Sequence, residues 1–140
     1  MRITLDSAIL VRANHLATGL ARALLLEILD RGHRLVLSPS LLEEVERVLH
    51  YPRLIQRFGL TEVEILRFVA FLARSAEIVE FDETVRAPIR DPNDLHVLQT
   101  AISGKVNYLC TLDEHFKETV VLTFCPHMGS RSSPTLNCCV

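Results

Sequence analysis

Short apolar runs alternate along this chain with longer stretches whose apolar residues recur every three or four positions. Ile3-Thr4-Leu5, Leu35-Val36-Leu37 and Tyr108-Leu109-Cys110 are runs of strand length, apolar nearly throughout. Such runs suit strands covered on both faces. Residues 1–6 therefore read as a first strand, 34–38 as a second and 107–111 as a fourth. Residues 76–79 read as the third and 120–124 as a fifth. Leu20, Leu24, Leu25, Ile28 and Leu29 mark a helix between the first two strands, with Asn14 or Thr18 as its cap and Gly32 as its stop. Leu41, Leu42, Val45, Val48 and Leu49 mark another. Ser38 or Ser40 begins it, with Glu43 completing a capping box from Ser40, and it stops before Pro52.

Residues 52–60 read as a connection. Thr61 and Glu64 have the spacing of a second capping box, and the helix they open carries Val63, Leu66, Phe68, Val69, Phe71 and Leu72. A helix over residues 91–103 follows the third strand, with Asp91 as cap, Pro92 in the first turn and Gly104 as terminator. Strands alternating with helices imply an α/β fold with a parallel sheet and helices on both faces. Residues 1–126 form one domain. After Pro126 periodicity ends in a Gly/Ser/Pro-rich stretch, and 127–140 read as a poorly structured tail.

Composition narrows the class. The 140 residues suffice for one domain, and 49% hydrophobic content provides a core. A net charge of −2 gives no general electrostatic attraction for nucleic acid, although a bound cation would supply positive charge locally. No apolar run has the ~18 residues a membrane span requires. Met1-Arg2 leads directly into the first strand, so no signal peptide is expected and a cytoplasmic location is. The four cysteines, Cys110, Cys125, Cys138 and Cys139, have no zinc-site spacing, and Cys110 reads as a core thiol.

The acids change the picture more. Asp6 and Asp113 each close an apolar strand, and Asp94 lies in the first turn of a helix. Glu44 lies at the apolar edge of the helix after the second strand, whereas Glu43 and Glu46 read as outward. Open α/β sheets form their sites outside the carboxyl ends of the strands. Asp6, Glu44, Asp94 and Asp113 thus form a candidate metal site whose oxygen ligands suit Mg²⁺ or Mn²⁺. Such a site would activate water against a phosphodiester. Ser7 is placed to orient Asp6 or a metal-bound water. Each aspartate also has an ordinary reading as a helix cap or turn residue, and Glu44 as part of a solvated helix face. His96 and His115 read as surface histidines, and Arg12, Arg90 and Lys105 as solvated charges. The repulsion within four clustered acids would make Asp6→Asn and Asp94→Asn more stable than the parent without metal.

In these segments the chain resembles the PIN domain family, in the branch of toxin components of bacterial and archaeal toxin–antitoxin systems. The resemblance is carried by Ile3-Thr4-Leu5-Asp6-Ser7, by Leu37 to Leu49, by Arg90-Asp91-Pro92-Asn93-Asp94-Leu95-His96-Val97-Leu98, and by Tyr108-Leu109-Cys110-Thr111-Leu112-Asp113. It spans residues 1 to about 125 with the motifs in family order. It implies a three-layer α/β/α sandwich around a central parallel sheet. It also implies a metal-dependent endoribonuclease acting on single-stranded RNA, with Asp6, Glu44, Asp94 and Asp113 as catalytic and metal-binding acids and Asp91 as cap or supporting residue. An antitoxin and a second copy of the chain are the protein partners it implies. Two departures stand out: Ala8 replaces an amide-bearing residue of the first motif, and the closing strand and helix have no counterpart in the tail. Both point to the alternative, a catalytically degenerate PIN-like module that binds RNA or a protein. No glycine-rich phosphate loop supports nucleotide binding, and no Asp-x-Asp after the first strand supports a phosphatase.

Overall fold

The computed structural model describes residues 1–80, 92–112 and 137–139, the backbone alone for 92–94 and 137–139. Its strands are β1 (Arg2–Leu5), β2 (Arg34–Leu37), β3 (Ala76–Ile78), β4 (Tyr108–Thr111) and β5 (Asn137–Cys139). The helices are α1 (Ser7–Arg12), α2 (Leu20–Asp30), α3 (Pro39–Leu49), α4 (Pro52–Phe58), α5 (Glu62–Ser75) and α6 (Pro92–Ser103). Sheet order is β3-β2-β1-β4-β5, parallel among the first four. Ile3, Thr4 and Leu5 are buried, as are Leu35, Val36 and Leu37, which is why these strands show no alternation of apolar and polar residues.

The connections β1→β2 and β2→β3 step in one direction, whereas β3→β4 steps back across two strands. Right-handed crossovers then put α1–α5 on one face and α6 on the other. The expected α/β fold with a central parallel sheet is what the chain adopts. The core joins Leu5, Ile9, Leu10 and Leu25 to Leu41, Val45, Ile65 and Leu72 on one face, and Val97, Leu98 and Ala101 cover the other.

Several local expectations need correction. Ser38, not Ser40, caps α3, its side chain accepting from Leu41 N at 3.3 Å; the strand ends earlier, and Pro39 occupies the first turn. The Thr61–Glu64 capping box forms as read. Residues 52–58 are a helix rather than a connection, opened by Pro52 and stopped by Gly59 at φ 66°. It buries no residue fully, so its apolar pattern is weak. Gly19 precedes α2 in place of a side-chain cap. Val63 and Leu66 are exposed, so α5 is less enclosed than its composition suggests.

Gly104 does not take the left-handed turn after α6; Lys105 does, at φ 47°. Lys105 N donates to Ile102 O and Val106 N to Ala101 O, a Schellman ending. Glycine is needed at 104 for another reason. A Cβ there would lie 2.5 Å from Val36 Cγ1 and 2.9 Å from Thr100 O, so α6 lies too close to β2 for a side chain.

The tail expected to lack structure contributes β5, which pairs antiparallel with β4 in the register Cys110↔Cys138. The free edge of β4 offers it a hydrogen-bonding template, which the polar composition of the tail does not reveal. The expected strand at 120–124 and the cap at Asp91 lie outside the described residues.

Candidate functional site

The parallel register Leu5↔Cys110 sets the geometry. It brings the residues after both strands side by side at the carboxyl edge of the sheet. Asp6 N donates to Cys110 O at 3.0 Å, so pairing continues one residue past β1. The Asp6 backbone is extended (φ −70°, ψ 166°), and its Oδ1 caps α1 by accepting from Ile9 N at 2.8 Å. Oδ2 accepts from Leu112 N at 3.1 Å and from the Thr111 hydroxyl. Asp6 as a whole is 6% exposed.

The ordinary reading of Asp6 as a helix cap is therefore correct, and it covers only one of the two oxygens. The second faces across to the end of β4. A carboxylate offers about four lone-pair positions. These three donors orient the carboxylate. An all-oxygen donor at a fixed angle suits a hard divalent cation.

The other acids enter unequally. Glu44 is half-buried on α3, next to the buried Val45 and three residues after the buried Leu41. It makes no ion pair among the described residues. Glu43 is exposed as expected, but Glu46 is half-buried, and its carbonyl accepts from His50 Nδ1 at 2.8 Å. The backbone of Asp94 lies in the first turn of α6. Its side chain, Asp91 and Asp113 lie outside the described residues; Asp113 directly follows Leu112, which touches Asp6. Among the described residues no cluster of three metal-ligating side chains occurs. Ser7 is the first, half-buried residue of α1, and Ala8 beside it is exposed.

Sequence reasoning missed a buried hydroxyl pair. Thr100 Oγ lies 2.7 Å from Ser38 Oγ and 2.7 Å from His96 O. Thr100 has one hydroxyl proton. With that proton on the His96 carbonyl, Ser38 donates to Thr100 while accepting from Leu41 N. Both side chains are fully buried. The pair locks the start of α3, which carries Glu44, to α6, which carries Asp94 six residues upstream. Thr111 was missed likewise. Its signal is its position at the end of the strand paired with β1, visible only once the register is known. His96 is exposed, as expected.

No helix of the described residues is long and apolar enough to cross a membrane. No curated protein and no solved structure matches the chain significantly. One family does, described as PIN domain, over residues 2–115. That match takes in β1 to β4 and the residues of all four motifs. With most of its length matched, and with the parallel α/β sheet in place, this chain belongs to the PIN domain family.

Proposed function

We propose that this PIN domain is a Mg²⁺- or Mn²⁺-dependent endoribonuclease that cleaves single-stranded RNA, and that it acts as the toxin of a toxin–antitoxin pair. PIN domains are generally nucleases and typically use divalent metals. The observation that carries the reading is the Asp6 carboxylate, buried where the carboxyl ends of β1 and β4 meet and oriented there by donors on both of its oxygens. In this reading Asp6, Glu44, Asp94 and Asp113 hold the metal, and Ser7 and Asp91 support them. A bound divalent cation lowers the pKa of coordinated water and offsets charge on the scissile phosphate. The chain's own part is to fix the oxygens. Thr111 and Leu112 hold Asp6, and the Ser38–Thr100 pair holds the two helices that carry Glu44 and Asp94. A cytoplasmic location, an antitoxin and a homodimer belong to the same proposal.

Titration calorimetry with Mn²⁺, paired with cleavage of single-stranded RNA, tests it. Wild type should bind Mn²⁺ and cut RNA, and chelation should abolish cutting. Asp6→Asn should lose binding and at least ~10²-fold in cleavage. The carboxylate geometry reverses the stability effect expected from repulsion alone. An asparagine amide turned toward Leu112 N leaves a buried donor unmatched, at a cost of about 1–3 kcal/mol. Metal-free Asp6→Asn should therefore melt lower than wild type. RNA binding without metal binding or cleavage would favour the degenerate module instead.

A further inference from the structure

A cleft of about 440 Å³ opens beside α5, against the α1–α2 connection and the start of α2. It is lined by His15, Arg22, Glu64, Arg67, Phe68 and Phe71. The two phenylalanine rings lie 6.4 Å apart and nearly parallel, at 22°. Phe68 is 2% exposed and forms the floor, and Phe71 is half-buried and presents part of its ring. Arg22 is braced, its Nη1 donating to Ala13 O at 3.1 Å, which leaves other guanidinium donors to turn inward. Arg67 is exposed.

Glu64 is already engaged. Its Oε2 accepts from Thr61 N at 2.7 Å, and its Oε1 lies 3.9 Å from His15 Nε2. The Thr61 backbone bond, foremost, holds this carboxyl below its usual range, with the charges of His15 and Arg67 adding less, so it offsets only part of the cleft's positive charge. Neither Arg22 nor Arg67 forms a salt bridge among the described residues. In a chain of net charge −2, this cleft therefore has a local surplus of guanidinium beside aromatic faces.

We propose that the cleft binds a nucleotide unit, with the base against Phe71 and the phosphate on Arg22 and Arg67. Guanidiniums recognise phosphate oxygens in paired geometry, and aromatic side chains accept any base face. The volume is within the range of small-molecule sites. The unit comes either from a strand of RNA or from a free mononucleotide. As an RNA subsite it rests on the nuclease reading, adding to it a place where the strand is held apart from the acids. The surplus of positive charge favours this occupant over an apolar protein segment.

Binding is measured by fluorescence anisotropy with a labelled single-stranded oligoadenylate, and by calorimetry with AMP and with inorganic phosphate. Chelator is present throughout, so the acid site takes no part. Arg22→Gln/Arg67→Gln should weaken oligoadenylate binding by roughly tenfold and reduce the salt dependence by ~0.7 for each phosphate no longer neutralised. Phe71→Leu retains apolar bulk and should weaken oligoadenylate and AMP but not phosphate. Arg67→Gln alone tests the same effect in a protein whose melting temperature should hold, because the residue is exposed. AMP bound as tightly as oligoadenylate would identify the free nucleotide as occupant; a clear preference for the strand would identify RNA. Unchanged affinity in the double arginine variant overturns the proposal. So does an acidic apolar peptide binding through the same arginines where neither nucleotide probe binds, which would assign the cleft to a protein partner. Cleavage by wild type with Mn²⁺ is scored separately. Arginine-dependent binding without cleavage would sink the nuclease reading alone, and cleavage without it would sink the cleft alone.

Discussion

The two ends of the parallel sheet treat their carboxylates differently. At the amino end, Glu77 on β3 receives Arg2 from β1 at 2.8 and 2.7 Å and Arg34 from β2 at 3.3 Å. Arg2 Nε also donates to Gly104 O at 2.6 Å, tying in the end of α6. Two guanidiniums answer one acid across three strands. At the carboxyl end, Asp6 is more deeply buried, and its named donors are two backbone N–H groups and a hydroxyl. The first arrangement matches charge with charge and closes the edge. The second fixes a carboxylate's direction, as a cation ligand requires. The difference separates an edge whose acid is matched by charge from one whose acid is held by direction, and under the proposed function only the second is chemical.

The largest effect on that contrast should come from Thr111→Val. It removes the hydroxyl donor to Asp6 with little change in volume, so the carboxyl group stays in place and loses part of its orientation. Partners of this kind typically account for 10–100-fold in metal affinity. Mn²⁺ affinity by calorimetry should fall within about that range, and RNA cleavage should fall in step. Stability should drop by about 1–3 kcal/mol, since a buried acceptor loses one of its donors. Unchanged Mn²⁺ affinity in a folded variant would mean that the carboxyl edge is as structural as the amino edge.

Gly104→Ala should have the next largest effect. The added Cβ meets Val36 Cγ1 and Thr100 O at distances no relaxed contact allows. Moving α6 outward would disturb the Arg2 bond at one end and the Thr100–Ser38 bond at the other. A loss of about 1–3 kcal/mol is expected from overpacking, read as a lower denaturation midpoint with unchanged slope. If Mn²⁺ affinity falls as well, α6 positions the chemical edge; if stability alone falls, it serves the structural one.

These residues also show what could be read from sequence. The four parallel strands and most helices were legible because apolar periodicity is local and Thr61, Glu64 and Gly32 carry their cap chemistry within a turn. Asp6 was legible because an acid after a buried run is costly without a reason. Its partners were not. Thr111 lies 105 residues away, and only the β1–β4 register makes the two neighbours. Ser38 and Thr100, 62 residues apart, escaped in the same way. Gly104 was recognised as significant for the wrong reason. A glycine after a helix suggests a left-handed turn, whereas the close approach of β2 that requires it is a tertiary fact. Residues 52–58 failed because a helix with no fully buried residue has almost no periodic signal.

Glu77→Gln should give the smallest effect, at the amino edge. Hydrogen bonding from Arg2, with Arg34 contributing less, holds the Glu77 carboxyl below its ordinary value. A carboxyl with a lowered folded-state pKa adds stability that is complete above its unfolded value and is lost as pH falls through the folded one. Wild type should therefore lose stability on acidification through the range below the ordinary glutamate pKa, and Glu77→Gln should flatten that limb of the profile. The Glu77 side chain is 36% exposed, so salt should shrink the difference between the two proteins at neutral pH. Thermal melts across pH and ionic strength check both trends. Mn²⁺ affinity should be unchanged, because the donors that orient Asp6 lie at the opposite edge. A Glu77→Gln variant that bound Mn²⁺ less well would show that the two ends of the sheet are coupled, and the contrast between them would have to be given up.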